Sequence, residues 1–462
     1  MENLSSRIDV KVCTDPRPIS QGHVYVRAQR GRWQRWRQSI GWGLMLLFLA
    51  GPWLRWNGQQ ALLLDLEQQR FHLFGITIWP QDLTLLALLL MVAAFGLFFI
   101  TAFLGRVWCG YLCPQTVWTF WFIWVEEKLE GSANKRRQRD KAPWSLNKVV
   151  RKGGKHLIWL LISLLSGVTF IAYFVPAAEL VTGLLQWSAG LLPTFWVGLF
   201  TLCTYLNAGW MRAIMCTHMC PYSRFQSAMF DQDTYSIAYD AGRGEHRGPR
   251  ARKADARALG LGDCIDCNLC VQVCPTGIDI RDGLQYECIN CGACADACDQ
   301  TMNRMGYAGG LIRHASERQL AGGQTRLWRP KLVGYGVMLV LMLAALVYAA
   351  VSRVPMALDV HRDRNQLFRE TPEGWVENTY ILKLSNRTQQ PRHYRVWVEG
   401  MAASRWAGPD EVRVPAGEIV SLPISLSVDP DLLSGSMQPL RFVAGNDEVE
   451  VGAESQFFSP GR

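Results

Sequence analysis

The residues in this sequence best placed to do chemistry are its cysteines. Fourteen occur in 462 residues, and most fall into short groups of regular spacing. Cys264, Cys267, Cys270 and Cys274, followed by Pro275, read C-x2-C-x2-C-x3-C-P, and Cys288, Cys291, Cys294 and Cys298 repeat that spacing. In such a run three closely spaced thiolates hold three irons of a cubane [4Fe-4S] cluster, and the fourth reaches the neighbouring cluster. On this crossed scheme Cys264, Cys267, Cys270 and Cys298 serve one cluster, and Cys288, Cys291, Cys294 and Cys274 the other. Structural zinc also takes four cysteines, but usually from two C-x2-C knuckles set well apart. Gly277, Gly283 and Gly292 supply the backbone freedom of tight loops. Asp299 stands where a second proline is usual, which affects loop shape only. Two neighbouring clusters make a one-electron wire.

A second pair of motifs is rarer. Cys109 and Cys113 precede Pro114, and Cys216 and Cys220 precede Pro221, so each box reads C-x3-C-P with an arginine, Arg106 or Arg212, shortly before it. Proline disfavours helical backbone at the residue before it and suits the first position of a new helix. Cys113 and Cys220 are therefore expected at helix N-termini, where unpaired N–H groups and nearby arginines would activate a thiolate. Four such thiols, with Met215, His218 and Met219 alongside, form a soft ligand set that favours Cu(I) over Cu(II). A redox disulfide pair, a further iron centre and plain packing are the competing readings. Cys13 and Cys203 belong to no motif.

These motifs must be positioned by membrane helices. The chain is 49% hydrophobic and 19% charged, with 19 Trp, too apolar for an ordinary soluble enzyme and too mixed for a membrane bundle alone. Five uncharged stretches are expected to span: 39–54, 83–104, 157–175, 190–210 and 332–351. Lys and Arg number eight in residues 1–38, ten in 127–156 and fifteen in 207–331, against two in 55–82 and none in 176–190. The rich segments are expected in the cytoplasm. Crossing by residues 107–125 would export a basic loop, so that Trp-rich stretch reads as interfacial or re-entrant. No cysteine follows Cys298, which agrees with an oxidising compartment for the C-terminal end.

The expected organisation is a cytoplasmic N-terminal segment 1–38, a membrane domain 39–230, a basic linker 231–262, a dicluster ferredoxin module 263–300, a connector 301–331, a last transmembrane helix 332–351 and a C-terminal domain 352–462. In the last, period-two alternation around Tyr380, Leu382 and Leu384 and around Tyr394, Val396 and Val398, with runs at 411–414 and 419–428, predicts a sandwich of about seven strands. Asn386-Arg387-Thr388 matches a glycosylation sequon, a pattern common by chance. The fold class is thus a multidomain membrane protein: an α-helical transmembrane bundle, a ferredoxin-like dicluster module and an all-β sandwich. The net charge of +9 suits anionic lipid rather than nucleic acid, because the basic residues collect at membrane edges.

Over nearly its whole length the sequence resembles the cytochrome c oxidase accessory proteins of the CcoG, FixG and RdxA family, through FGITIWPQD, CGYLCPQTVW, CTHMCPYSRFQ and CVQVCPTGIDIRDGLQYECINCGAC. The resemblance implies a polyferredoxin of the bacterial inner membrane with two [4Fe-4S] clusters and an immunoglobulin-like tail. It also implies a cupric reductase that supplies Cu(I) for assembly of a cbb-type oxidase, with copper as substrate or transient ligand of Cys109, Cys113, Cys216 and Cys220. The clusters would lie on the cytoplasmic side and the tail domain in the periplasm. Expected partners are a cytoplasmic electron donor, copper chaperones, oxidase assembly factors and membrane lipid. The rival readings are a quinol dehydrogenase-type electron-transfer subunit and a non-enzymatic assembly scaffold.

Overall fold

The computed structural model describes residues 24–460 apart from 57, 68–69, 75, 79–81, 253, 257, 353, 364–365, 389, 402, 434 and 447; Cys13 lies outside the described residues. The chain forms two compact units, Met1–Leu54 with Leu86–Leu346 and Arg55–Leu85 with Val347–Arg462.

The first unit carries α1 (Arg32–Ala50), α2 (Leu83–Leu104), α3 (Pro114–Glu130), α4 (Ala133–Lys141), α5 (Leu146–Ile171), α6 (Ala177–Leu185), α7 (Leu191–Leu206) and α8 (Pro221–Met229), then the cysteine-rich region and the helix Pro330–Val351. Among the described residues four helices are long and apolar enough to cross a membrane: α2, α5, α7 with its extension to Met211, and Pro330–Val351. The fifth expected span differs. α1 starts at Arg32 rather than Ser39, so Arg32, Arg35 and Arg37 occupy its first turns and only its second half is apolar. Its start is fixed from outside, because the Asp296 carboxylate accepts the backbone N–H groups of Trp33 and Gln34 at 3.2 and 2.8 Å. A carboxylate at a helix N-terminus satisfies orphan donors and the dipole together.

The stretch 107–125 is not one helix. It breaks at Cys113, which leaves α3 with 17 residues and four charges near its end. Chain parity supports the same conclusion. Residues 55–85 and 347–462 form one unit, so an even number of crossings separates them. The four long helices supply that number, and a fifth crossing through α3 would divide the unit.

The expected basic linker is a packed part of the unit instead of a tether. Ser236–Tyr239 pairs antiparallel with Ile312–Ala315, and Ile237, Leu311 and Ile312 are buried. Asp233 receives the Arg318 guanidinium and Asp231 that of Arg329. Within the arginine-rich stretch Arg243 pairs with Asp263 at 2.6 Å and donates to the Gly309 carbonyl at 2.9 Å, and Arg250 donates to Tyr307 Oη at 3.0 Å, partners that composition does not reveal.

The second unit contains the predicted sandwich. One sheet runs Arg405–Ala407, Ile419–Val428, Val376–Asn386, Met356–Arg362, with Arg369–Glu370 beside the third; the other runs Glu411–Val414, Arg392–Glu399, Met437–Gly445, Glu450–Phe458. All pairings are antiparallel. Tyr380, Leu382 and Leu384 are fully buried while Ile381 and Lys383 face out, as the pleat requires. Asn386 is also fully buried, and its amide bonds to the carbonyls of Gln390, Val414 and Pro415. The sequon is therefore a turn lock, closed to modification. Within this unit Arg387 meets Asp82 at 3.4 Å.

Candidate electron-transfer site

Both boxes fold alike. Trp108–Leu112 and Met215–Met219 are single π-helical turns, closed by Cys113 N–H to the Trp108 carbonyl at 2.9 Å and Cys220 N–H to the Met215 carbonyl at 2.8 Å. Cys113 (φ −62°, ψ 126°) and Cys220 (φ −76°, ψ 113°) are extended, and Pro114 and Pro221 open α3 and α8. The prolines explain the break, and isolated π turns are frequent at functional sites.

The fold brings the boxes together. Cys216 feels the charges of Cys113, Cys109 and Cys220, and Cys109 those of Cys113 and Cys220. Gln226 of α8 donates its amide to Cys109 Sγ at 3.1 Å. The expectation of activated thiols is not met. Burial pushes Cys109 up to about 11 and Cys216 up to about 12, and raises Cys113 as well. Arg106 pulls Cys109 and Cys216 down without overcoming that desolvation. These thiols therefore remain protonated near neutrality until a metal displaces the proton.

The two arginines part company. Arg106, 4% exposed, donates to the Ser223 carbonyl at 2.8 Å and interacts with Cys109 and Cys288. Arg212 takes a left-handed backbone (φ 39°) and turns to Glu126, Nη2 to Oε1 at 2.7 Å, where Arg136 binds the other oxygen at 2.6 Å. It braces α3 against box two rather than tuning a thiol. His218 is exposed and bonds Thr217 Oγ1 through Nδ1 at 2.7 Å, and Met219 is exposed too, so neither belongs to the buried thiol set. Cys203 is exposed on α7.

In the cysteine-rich region, Cys264, Cys267, Cys270 and Cys298 line one cavity, and Cys274, Cys288, Cys291 and Cys294 line a second that Cys270 also edges. Each therefore collects the four-thiol set that a cubane takes. Burial pushes Cys270, Cys288 and Cys298 up to about 12 and raises Cys274 and Cys294. Among the described residues no three His, Cys, Asp or Glu side chains stand close enough to hold a single ion. Gly292 (φ 74°) needs its freedom and its lack of a side chain, since a Cβ would meet Trp33 at 2.7 Å. Asp299, in the place of the usual proline, accepts the Gly310 N–H at 2.7 Å and closes the following loop.

Box one leans on this module. Cys109 packs with the core of Val273, Ile289, Cys291, Ala293 and Ala297. A Cβ on Gly110 would lie 2.6 Å from the Ile289 carbonyl oxygen, and Tyr111 Oη donates to the Cys291 carbonyl at 3.3 Å. Asn290 ties the parts together, accepting from Ile237 N–H at 2.9 Å and donating to the Leu104 carbonyl at 3.3 Å. Box two is joined through Tyr286 Oη to the Thr217 carbonyl at 3.3 Å. Sequence reasoning missed Gln226, Asn290 and Asp296, which sit inside or at the end of the cysteine motifs but whose partners lie elsewhere in the chain. Arg106 was visible as part of its box, but its second neighbour, Cys288, was not.

Comparison with known proteins agrees. Residues 211–317 match the family described as 4Fe-4S dicluster domain, 86–130 that described as 4Fe-4S binding domain, and 346–460 that described as IG-like fold at C-terminal of FixG. These matches define the class: a membrane protein that carries electrons through iron–sulfur clusters. The chain is 37% identical to the nitrogen fixation protein FixG of Rhizobium meliloti over 82% of its own length and 80% of the relative's. It is 38% identical to protein RdxA of Cereibacter sphaeroides over 92% of both chains. It belongs to the FixG/RdxA family. A crystal structure of a FixG-related protein from Vibrio parahaemolyticus is 40% identical, covering 23% of this chain and 97% of its own, with a TM-score of 0.22.

Proposed function

We propose that the protein reduces Cu(II) to Cu(I) at Cys109, Cys113, Cys216 and Cys220, and that the product serves assembly of a cbb-type cytochrome c oxidase. Cys264, Cys267, Cys270 and Cys298 would hold one cluster and Cys288, Cys291, Cys294 and Cys274 the other. The observation that carries this reading is the contact of box one with a cluster-binding loop, through Cys109, Gly110 and Tyr111. Bound in their cavities, the clusters supply electrons one at a time.

The chain's own residues do the rest. The boundary thiols bind copper as thiolates and release their protons to solvent, which return when Cu(I) departs. Each Cu(II) takes one electron, so one reduced cluster is oxidised per ion. Gln226 orients Cys109, and Arg106 offers one cation to thiols on both sides of the transfer. Soft sulfur ligands hold Cu(I) better than Cu(II) and so raise the reduction potential of bound copper.

The same reading puts boxes and clusters in the cytoplasm and the sandwich in the periplasm. It is supported by the Lys and Arg distribution, by chain parity and by the absence of cysteine after Cys298. A cytoplasmic donor would load the clusters, and copper chaperones and assembly factors would receive the product.

The test uses protein purified without oxygen, reduced with dithionite, freed of excess reductant and offered Cu(II). Cu(I) should appear, and Cys109→Ser or Cys216→Ser should abolish it with the cluster resonances intact. Normal copper reduction by the Ser variants would overturn the site assignment; fast quinol oxidation without copper reduction would favour a quinol dehydrogenase. A second reading rests on the family match at 86–130, described as 4Fe-4S binding. If the boxes hold a further cluster, iron analysis will return three cubanes per chain instead of two.

A further inference from the structure

Between α1 and α3 lies a cavity of about 590 Å³ that the electron path does not use. Its inner wall is formed by Gly110, Tyr111, Val273 and Ala293, so it backs directly onto the box one and ferredoxin contact. Four cations line it, Arg27, Arg30, Arg37 and Lys128, against one carboxylate, Glu127. None of the four joins an ion pair among the described residues. Arg37 is 8% exposed and lies over the Phe120 ring at 3.7 Å; its Nη2 bonds Gln34 and its charge also faces Cys291, Tyr111 and Asp296, while its buried Nη1 has no oxygen or nitrogen acceptor among the described residues. A buried guanidinium with an unused donor calls for an oxygen acceptor, and the excess of positive charge calls for an anion.

The cavity also has a direction. Gln34, Gln38 and Trp42 line it at four-residue intervals along α1, and the next step of that series is Leu46. The wall therefore grades from charged and amide groups to aromatic ones, and Leu46 lies one turn further along α1, outside the lining. Trp42 stacks edge-on against Trp121 at 3.9 Å, and Trp124 stands beyond it. Trp42, Leu46 and Leu47 are 48, 61 and 70% exposed. Tryptophans grouped with basic residues at the end of an apolar helix mark the membrane interface.

We propose that this cavity takes the phosphate headgroup of an anionic phospholipid, with acyl chains running along Trp42, Leu46 and Leu47. The charge balance selects an anionic lipid over a zwitterionic or neutral one. Because Val273 and Ala293 belong to the cysteine-rich module, the bound headgroup fastens that module to the bilayer beside α1.

The experiment is native mass spectrometry of the full chain in detergent, delipidated and then titrated with phosphatidylglycerol or phosphatidylcholine of the same acyl chains. Phosphatidylglycerol should bind about tenfold or more tightly. Gly41→Leu should abolish that preference: a Cβ there meets only Val117 Cγ1 at 3.9 Å, so the longer side chain enters the cavity. Gly43→Leu is the matched control, since nothing lies within 4 Å of its Cβ, and should keep the preference. Equal binding of both lipids would overturn the proposal, as would an unchanged preference in Gly41→Leu. Saturation by glycerol phosphate alone would mean a soluble anion is the ligand, and displacement by a neutral quinone but not by phosphatidylglycerol would mean a redox ring; either result also overturns it.

Discussion

The two proline-terminated boxes have nearly the same local structure and different surroundings. Each is a π turn, an extended cysteine and a proline-started helix. Yet Arg106 sits among thiols, and Arg212 is drawn away to a carboxylate 86 residues distant in sequence. Box one presses on a cluster loop, while box two is bonded to the module through the Tyr286 hydroxyl. A repeated motif thus specifies its backbone twice, but its electrostatic task is assigned by whatever the rest of the chain packs against it.

The sharpest way to break this comparison is through the thiol nearest the clusters. Cys109→Ser should lower Cu(II) reduction on the order of 100-fold or more, as expected for loss of a metal ligand rather than of its support. If Cys220→Ser costs as much and Cys109→Ser little, the electron enters through box two. Next comes pH. The thiols raised to about 11 and about 12 must lose protons to bind copper, so affinity should climb by about tenfold per pH unit for each proton displaced and fall as pH drops. Competition titrations between pH 6 and 8 would reveal a flat profile if the thiols were already ionised.

The arginines give opposite signatures. Arg106→Met should slow single-turnover copper reduction about tenfold and shift the cluster midpoint potential, because it removes a buried cation beside Cys109 and Cys288. Arg212→Met should cost about 1.5–3 kcal/mol of stability by removing a charge-assisted hydrogen bond from buried Glu126, which keeps Arg136, and change the rate per folded molecule little. Denaturation and stopped-flow measurements on the pair would refute the division of labour if the two effects were exchanged. Gly110→Ala strikes the contact itself: its Cβ would lie 2.6 Å from the Ile289 carbonyl oxygen, backbone that does not yield cheaply, so the transfer rate should fall about tenfold or more, measured beside the iron content.

Much of the site was readable in the sequence because its determinants are local. Cysteine spacing anticipates the two four-thiol cavities, proline anticipates the extended Cys113 and Cys220, and alternation anticipates the strand at Tyr380. What escaped depends on distant partners. The helix α1 begins early because Asp296, from the far end of the module, caps it. The arginine-rich linker looked solvated, yet its flanks pair with residues 312–329. The boundary thiols looked activated because dipole and arginine are visible locally, whereas desolvation, the larger influence, is set by the whole fold.

A π turn holds one residue more than the α-helical turn it replaces, so each box acts as a phase insert in the helical path. Deleting a single residue from Trp108–Leu112 would remove the closing bond from Cys113 N–H to the Trp108 carbonyl and displace Pro114, where α3 begins. Glu126 would leave its two guanidinium partners, and Trp121 would leave Trp42. Five consecutive residues therefore set the azimuth of α3, and with it the alignment of metal chemistry, buried charge and bilayer edge.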